Sequence, residues 1–131
     1  NIVIPKAYEG KPVTGIKYGA FYRCNAKTIK VPDSVTVIEK EAFSFCDELE
    51  SVILGKNVEI IGDGAFMDSG IKELVIPASV TEIGAGLFRF CGSLSSIKVE
   101  SGNTVYDSRN NCNAIIETAT NTLCEACPAV C

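Results

Sequence analysis

The chain has 131 residues, 47% of them hydrophobic, a net charge of −4, and neither histidine nor tryptophan; its pI is near 4.8. That length and apolar content suffice for one packed domain, and an acidic chain with no Lys/Arg cluster or stripe speaks against a nucleic-acid or anionic-membrane partner. The missing imidazole removes Ser-His-Asp, Cys-His and the usual zinc-hydrolase arrangements, and no apolar run approaches the ~18 residues of a transmembrane helix, so no membrane insertion is expected in this segment. Because the chain opens at Asn1 rather than Met, the lack of a leader-like segment carries no information about targeting.

In chain order the dominant signal is a beat. Phenylalanines stand at Phe21, Phe43, Phe66 and Phe88, and other columns keep the same phase: Ile2/Ile29/Val52/Leu74/Ile97, Ile4/Val31/Leu54/Ile76/Val99, Val13/Val35/Val58/Val80, Ile16/Ile38/Ile61/Ile83 and Cys24/Cys46/Ser69/Cys91. A period near 22 with this many apolar columns predicts a solenoid, in which each unit buries its core only against its neighbours. Each unit begins with period-2 alternation, as in Leu74-Val75-Ile76, which predicts a strand. Pro5, Pro32 and Pro77, with Gly55 once in their place, end that strand. Two residues on stand Ser34, Asn57 and Ser79, whose short polar side chains can bond turn backbone. The second half of the unit has spacings of three to five, suited to a turn or two of α or 3-10 helix, with Gly62 and Gly84 assigned to a tight bend before it. The expected architecture is therefore one stacked parallel sheet on one side and short strand-and-turn segments on the other.

The first unit departs from this pattern: eight residues separate Pro5 from Val13, against three from Pro32 to Val35, so the extra Tyr8–Pro12 region is expected to form an edge loop. After Val99 the beat is lost. Residues 1–99 are taken as about four and a half repeat units and residues 100–131 as a polar loop followed by a β-hairpin, with Ala114–Glu117 and Thr122-Leu123 flanking Thr118–Asn121. That hairpin either caps the stack or is an insertion before further repeats.

Seven cysteines invite a redox or metal reading. Cys24, Cys46 and Cys91 share a column with Ser69 and are expected to be buried, inert fillers, because parallel in-register side chains seldom offer disulfide geometry. Cys112, Cys124, Cys127 and Cys131 lack the second C-x-x-C knuckle of a zinc site, so no metal is assigned; one or two disulfides or reactive free thiols remain the alternatives. The oxygen-rich run Asp107–Asn111 does not match a calcium loop and reads as turn chemistry.

The unit I-P-x-x-V-x-x-I-x-x-x-A-F-x-x-C, present in Val31–Cys46 and, with Leu for Ala, in Ile76–Cys91, resembles the BspA-like (Treponema pallidum type) leucine-rich repeats. The run from Val105 to Leu123 is also similar to a segment that follows such repeats. The resemblance covers residues 1 to about 100 and implies a right-handed, β-rich leucine-rich-repeat solenoid. It further implies a secreted or cell-surface bacterial protein engaged in adhesion or host-protein binding.

Function then rests on the outward strand positions. Lys27/Glu50/Lys72/Ser95 alternate in charge and read as a solvated face. Thr28/Ser51/Glu73/Ser96 form a polar row, and in the row that begins at Val3 the positions Lys30/Ile53/Val75/Lys98 place two apolar residues between two lysines, the layout of a small binding patch. These eight residues are the candidate ligand-binding set, for an extracellular protein or glycan, on a noncatalytic module that needs no cofactor. A structural spacer is the alternative. A carbohydrate-active enzyme is disfavoured, because Glu73 stands alone in its row and Glu50 is flanked by lysines, leaving no carboxylate pair.

Overall fold

Equivalent side chains recurring at one place in every turn of the chain stack upon one another, and the result is a parallel β-solenoid of about four turns with almost no helix. The structure, a computed structural model, describes residues 1–127. One face is a five-stranded parallel sheet of β1 (Ile2–Val3), β5 (Thr28–Lys30), β7 (Ser51–Ile53), β9 (Glu73–Ile76) and β11 (Ser96–Val99), neighbours in that order. A second face is a four-stranded parallel sheet of two-residue strands, β4 (Gly15–Ile16), β6 (Val37–Ile38), β8 (Ile60–Ile61) and β10 (Glu82–Ile83). The insertion in the first unit is not an irregular loop: β2 (Ala7–Tyr8) and β3 (Lys11–Pro12) pair as an antiparallel hairpin, turned at Gly10 with φ 77°. After the fifth strand of the first sheet comes an antiparallel sheet of β12 (Tyr106–Asp107), β13 (Ala114–Glu117) and β14 (Thr122–Ala126).

The phenylalanine column forms a continuous ladder through the core. Phe21–Phe43, Phe43–Phe66 and Phe66–Phe88 stack with ring centroids 5.4, 5.3 and 6.1 Å apart, and Phe43 and Phe66 are fully buried. Beside it the column of Val35, Val58 and Val80 and that of Ile38 and Ile61 are equally closed to solvent.

The third side of each coil, where one or two helical turns are expected, forms a ladder of turns instead. Alternate amides bond three residues back, as in Ala20 N–H to Lys17 O, Tyr22 to Gly19 and Cys24 to Phe21. The amides between them reach the next coil: Gly19 N–H to Lys40 O, Phe21 to Ala42 and Arg23 to Ser44. A helix needs every amide for its own chain, so this inter-coil ladder forbids one. The geometry puts two residues per coil at positive φ, Gly19 and Arg23, Glu41 and Phe45, Gly64 and Asp68, Gly86 and Phe90, and five of these eight are not glycine despite the strain.

Gly62 and Gly84 are not bend residues, since neither has a left-handed φ. A Cβ on Gly62 would lie 2.5 Å from the Lys40 nitrogen, and one on Gly84 2.3 Å from the Asp63 carboxylate, so close approach to the preceding coil is what demands glycine. Asn57 Nδ2 donates to Asp33 O at 2.8 Å and Ser79 Oγ to Val58 O at 2.6 Å, so at these two positions the polar column ties a coil to the one before it. Ser34 Oγ in the same column is buried without a partner.

In the cysteine column Cys46 and Cys91 likewise tie a coil to the one before it and Ser69 bonds within its own coil. Cys24, at the first coil, is only partly buried, which corrects the expectation that all three cysteines are enclosed. The thiols of Cys46 and Cys91 and the hydroxyl of Ser69 donate to phenylalanine carbonyls, Cys46 to Phe21 O and Cys91 to Phe66 O at 2.9 Å and Ser69 to Phe66 O at 2.7 Å. Burial pushes the Cys46 thiol up to about 11 and raises Cys91 as well. The tail cysteines differ from one another: Cys127 is buried and donates to Leu94 O at 2.7 Å, whereas Cys112 and Cys124 are exposed. Cys131 lies outside the described residues. Alkylation of the native protein with mass mapping should therefore modify Cys112 and Cys124 rapidly and leave Cys46 and Cys91 unmodified until denaturant is added; fast labelling of Cys46 would contradict the buried column.

Residues 100–126 cover the edge of the fourth coil and supply side-chain acceptors to its amides. Glu100 Oε2 accepts the Ala78 N–H at 2.9 Å, the Tyr106 hydroxyl accepts Ile83 N–H at 3.1 Å, and Ser108 Oγ accepts Val99 N–H at 2.9 Å. The oxygen-rich run folds as a short 3-10 turn at Arg109–Asn111, clipped by the Arg109 guanidinium on Asp107 at 2.7 Å, which holds the Asp107 carboxyl well below the usual carboxylate range.

Glu125 covers the same edge. Its carboxylate accepts Leu87 N–H at 2.9 Å beside the Gly86 and Phe88 amides, standing where a further coil's carbonyls would stand. Burial raises its pKa and the three amides hold back part of the rise. A carboxyl raised on folding makes the protein more stable as pH falls from above its folded pKa toward the unfolded value. Glu125→Gln keeps an acceptor without the charge, so at pH 7 it should match or exceed the parent, with the difference shrinking as pH falls and the parent carboxyl takes up its proton. Glu125→Ala leaves the amide unpaired and should cost ~1–3 kcal/mol. Equal losses for the two variants at pH 7 in denaturant unfolding would show that the charge itself is what holds the C-terminal sheet on the coil.

Candidate functional site

The outward side of the five-stranded sheet carries the predicted rows. Pairing Thr28 to Ser51, Lys30 to Ile53, Ser51 to Glu73, Ser96 to Glu73 and Lys98 to Val75 aligns them across the strands. Period-2 burial puts Ile29, Val52, Leu74 and Ile97 inside and their neighbours outside. Ile53 is 57% and Val75 46% exposed, far above the core residues on either side of them.

These two residues sit in a groove of about 240 Å³. Between β7 and β9 the ladder is confined to Ser51–Glu73, where β9 and β11 share four pairs. The same coil interface is the widest in the phenylalanine ladder, 6.1 Å, so the groove lies where the third and fourth coils part. Of the eight predicted residues it gathers six: Ser51, Ile53, Glu73, Val75, Ser96 and Lys98. Thr28 and Lys30 fall outside it. Thr28 is turned to Asn1, donating to its side-chain oxygen at 2.7 Å, and Lys30 stands one strand away beside Ile53.

Pro77 and Glu100 line the groove as well, and the sequence alone does not place them there. Glu100 occupies the column of Pro5, Pro32, Gly55 and Pro77, a signal hidden by the polar run that begins at that residue. Its carboxylate is turned to the Ala78 amide rather than left free. In the neighbouring row Lys72 bridges Glu50 at 2.9 Å and, chiefly through that hydrogen bond, holds the exposed Glu50 carboxyl below its ordinary pKa. Among the described residues no group of three or more His, Cys, Asp or Glu is placed to hold a metal ion.

A second cleft lies on the turn side, lined by Arg23, Asn25, Phe45, Asp47, Glu48 and Asp68. Its one aromatic wall, Phe45, is already met by Tyr22 at 5.3 Å, and its charges are mixed. The sheet groove thus has the clearer apolar floor.

Comparison with known proteins agrees with the coil geometry. The family model described as BspA type Leucine rich repeat region (6 copies) matches residues 14–123. A leucine-rich repeat protein of Bacteroides capillosus is similar in structure, with 35% identity, a TM-score of 0.68 and coverage of 76% of this chain and 75% of its own. The T. pallidum leucine-rich repeat protein is similar at 28% identity and TM-score 0.55, over 73% of this chain and 56% of that one. A leucine-rich cell surface protein of Faecalibacterium prausnitzii, at 21% identity and TM-score 0.54 over 93% of this chain, shares the fold; the chain spans about half of its length, 52%. Among the curated proteins none matches.

Proposed function

The chain belongs to the BspA-type leucine-rich repeat family, and from that premise we propose that it is a noncatalytic binding module of a secreted or cell-surface bacterial protein, meeting an extracellular protein or glycan through its five-stranded sheet. The observation that carries this is the pair Ile53 and Val75, held side by side in the groove and exposed where neither contributes to the core. Exposed strand positions tolerate polar residues at little cost, so two adjacent aliphatic side chains framed by Lys30 and Lys98 have the apolar-centre, polar-rim layout of a contact surface. A leucine-rich repeat relative of similar fold is described as a cell surface protein, which supports the location proposed.

The test is capture of extracellular host proteins and glycans on the immobilised domain, followed by affinity measurement with the Ile53→Asp/Val75→Lys double variant. Both changes are exposed, so folding should change by no more than ~0.5 kcal/mol each, while binding should weaken by ~1 kcal/mol or more. Unchanged affinity in a variant shown folded by circular dichroism would move the contact surface off the sheet.

A further inference from the structure

The spacing of charges along the outward row that runs through the groove specifies the chemistry of what it takes. Lys30, Ile53, Val75 and Lys98 occupy four neighbouring strands in one outward row. Neighbouring strands lie ~4.8 Å apart, and the opening between β7 and β9 adds a little to this, so the backbone positions that carry the two lysines stand at least about 14 Å from each other with the apolar pair between them. Among the described residues neither lysine is in a salt bridge, whereas Lys72 in the adjoining row is tied to Glu50.

An extended peptide presents alternate side chains on one face every ~6.8 Å, so three of them span about 14 Å. Laid along the row, the first meets Lys30, the second drops between Ile53 and Val75, and the third meets Lys98. We propose that the sheet face recognises an extended protein segment of the pattern acidic–any–apolar–any–acidic, lying across the strands. This rests on the sheet being the contact surface.

Two further features set the register. Glu73 lies two residues along β9 from Val75, so an acidic side chain at the centre would be repelled as well as desolvated on the apolar pair, and an apolar one is selected. A helical partner fits less well, because its residues four apart rise only ~6 Å and swing ~40° from a straight line at each step, carrying the third anchor off the row.

The experiment uses the labelled protein and synthetic peptides. Peptides with one central phenylalanine and two glutamates separated by two, four or six positions are titrated to about 5 mM while backbone amide shifts are followed by NMR. The four-position peptide should shift Lys30, Ile53, Val75 and Lys98 and bind about five-fold more tightly than the others. Lys30→Glu/Lys98→Glu should weaken it about ten-fold and transfer the preference to the matching peptide with lysines in place of glutamates. Shifts at the sheet with equal affinity for all three spacings would overturn the proposed pattern while leaving the sheet as the contact surface. Shifts confined to the turn side, or none, would overturn the pattern too, and the double-variant affinity measurement then decides the sheet face independently.

Discussion

Phe66→Ala is expected to lower the unfolding free energy by ~3–5 kcal/mol, the range for truncating a buried aromatic to alanine. Phe66 is fully enclosed and stacked on both sides, against Phe43 at 5.3 Å and Phe88 at 6.1 Å. Removing it opens a void in the middle of the ladder, where neighbours on both sides are held by the backbone pairing of their own coils and cannot collapse into the gap. Phe21→Ala should cost less, since that ring is partly exposed at the end of the ladder. Phe90→Ala, at an exposed position, should cost no more than ~0.5 kcal/mol from lost contacts. Reversible denaturant unfolding of the three variants checks the order. A loss below about 1 kcal/mol for Phe66→Ala would mean that the coils do not stack in this register.

Gly70→Ala should be the most damaging single-carbon change in the chain, costing ~1–3 kcal/mol or more. Gly70 has no left-handed φ, so an alanine there would ordinarily stabilise slightly by narrowing the unfolded ensemble. Its Cβ, however, would lie 2.1 Å from Asp47 O and 3.3 Å from Leu49 O, both backbone atoms of the adjoining coil. Neither can move without breaking inter-coil hydrogen bonds such as Gly70 N–H to Cys46 O at 3.0 Å. Gly92→Ala is the matched control, because its Cβ would meet nothing within 4 Å. Equal unfolding midpoints for the two variants would rule out close coil approach at Gly70.

The repeat register was legible because a solenoid writes its core into the chain as columns. Every fully buried phenylalanine, valine and isoleucine on those columns was visible as an aligned apolar position before any coordinate. The face of the candidate site was legible for the same reason: alternation along Ser51-Val52-Ile53 separates inward from outward without ambiguity. Less visible was the third side of the coil. The spacing of Ala42, Phe43 and Cys46 suits a short helix locally, and only the neighbouring coil, which takes alternate amides, turns it into a ladder of turns. Gly62 and Gly84 were likewise misassigned, since a glycine required by an approaching backbone leaves the same mark in a sequence as one required by a bend.

What the sequence determined by itself is the stack, the buried columns and the outward rows, because each depends only on periodicity and on which side chains leave water. What the tertiary structure decided is how one coil lies against the next, together with the features that occur once, where no column carries a signal. Glu125 and Tyr106 reach back over 38 and 23 residues to amides of the fourth coil, and Cys127 is buried through a carbonyl 33 residues away. The parting of β7 from β9 that makes a groove of the Ile53–Val75 pair, with Glu100 at its end, belongs to this class. Such features arise from how one coil meets the next in space, and a partner 20 to 40 residues distant leaves no local trace in the chain.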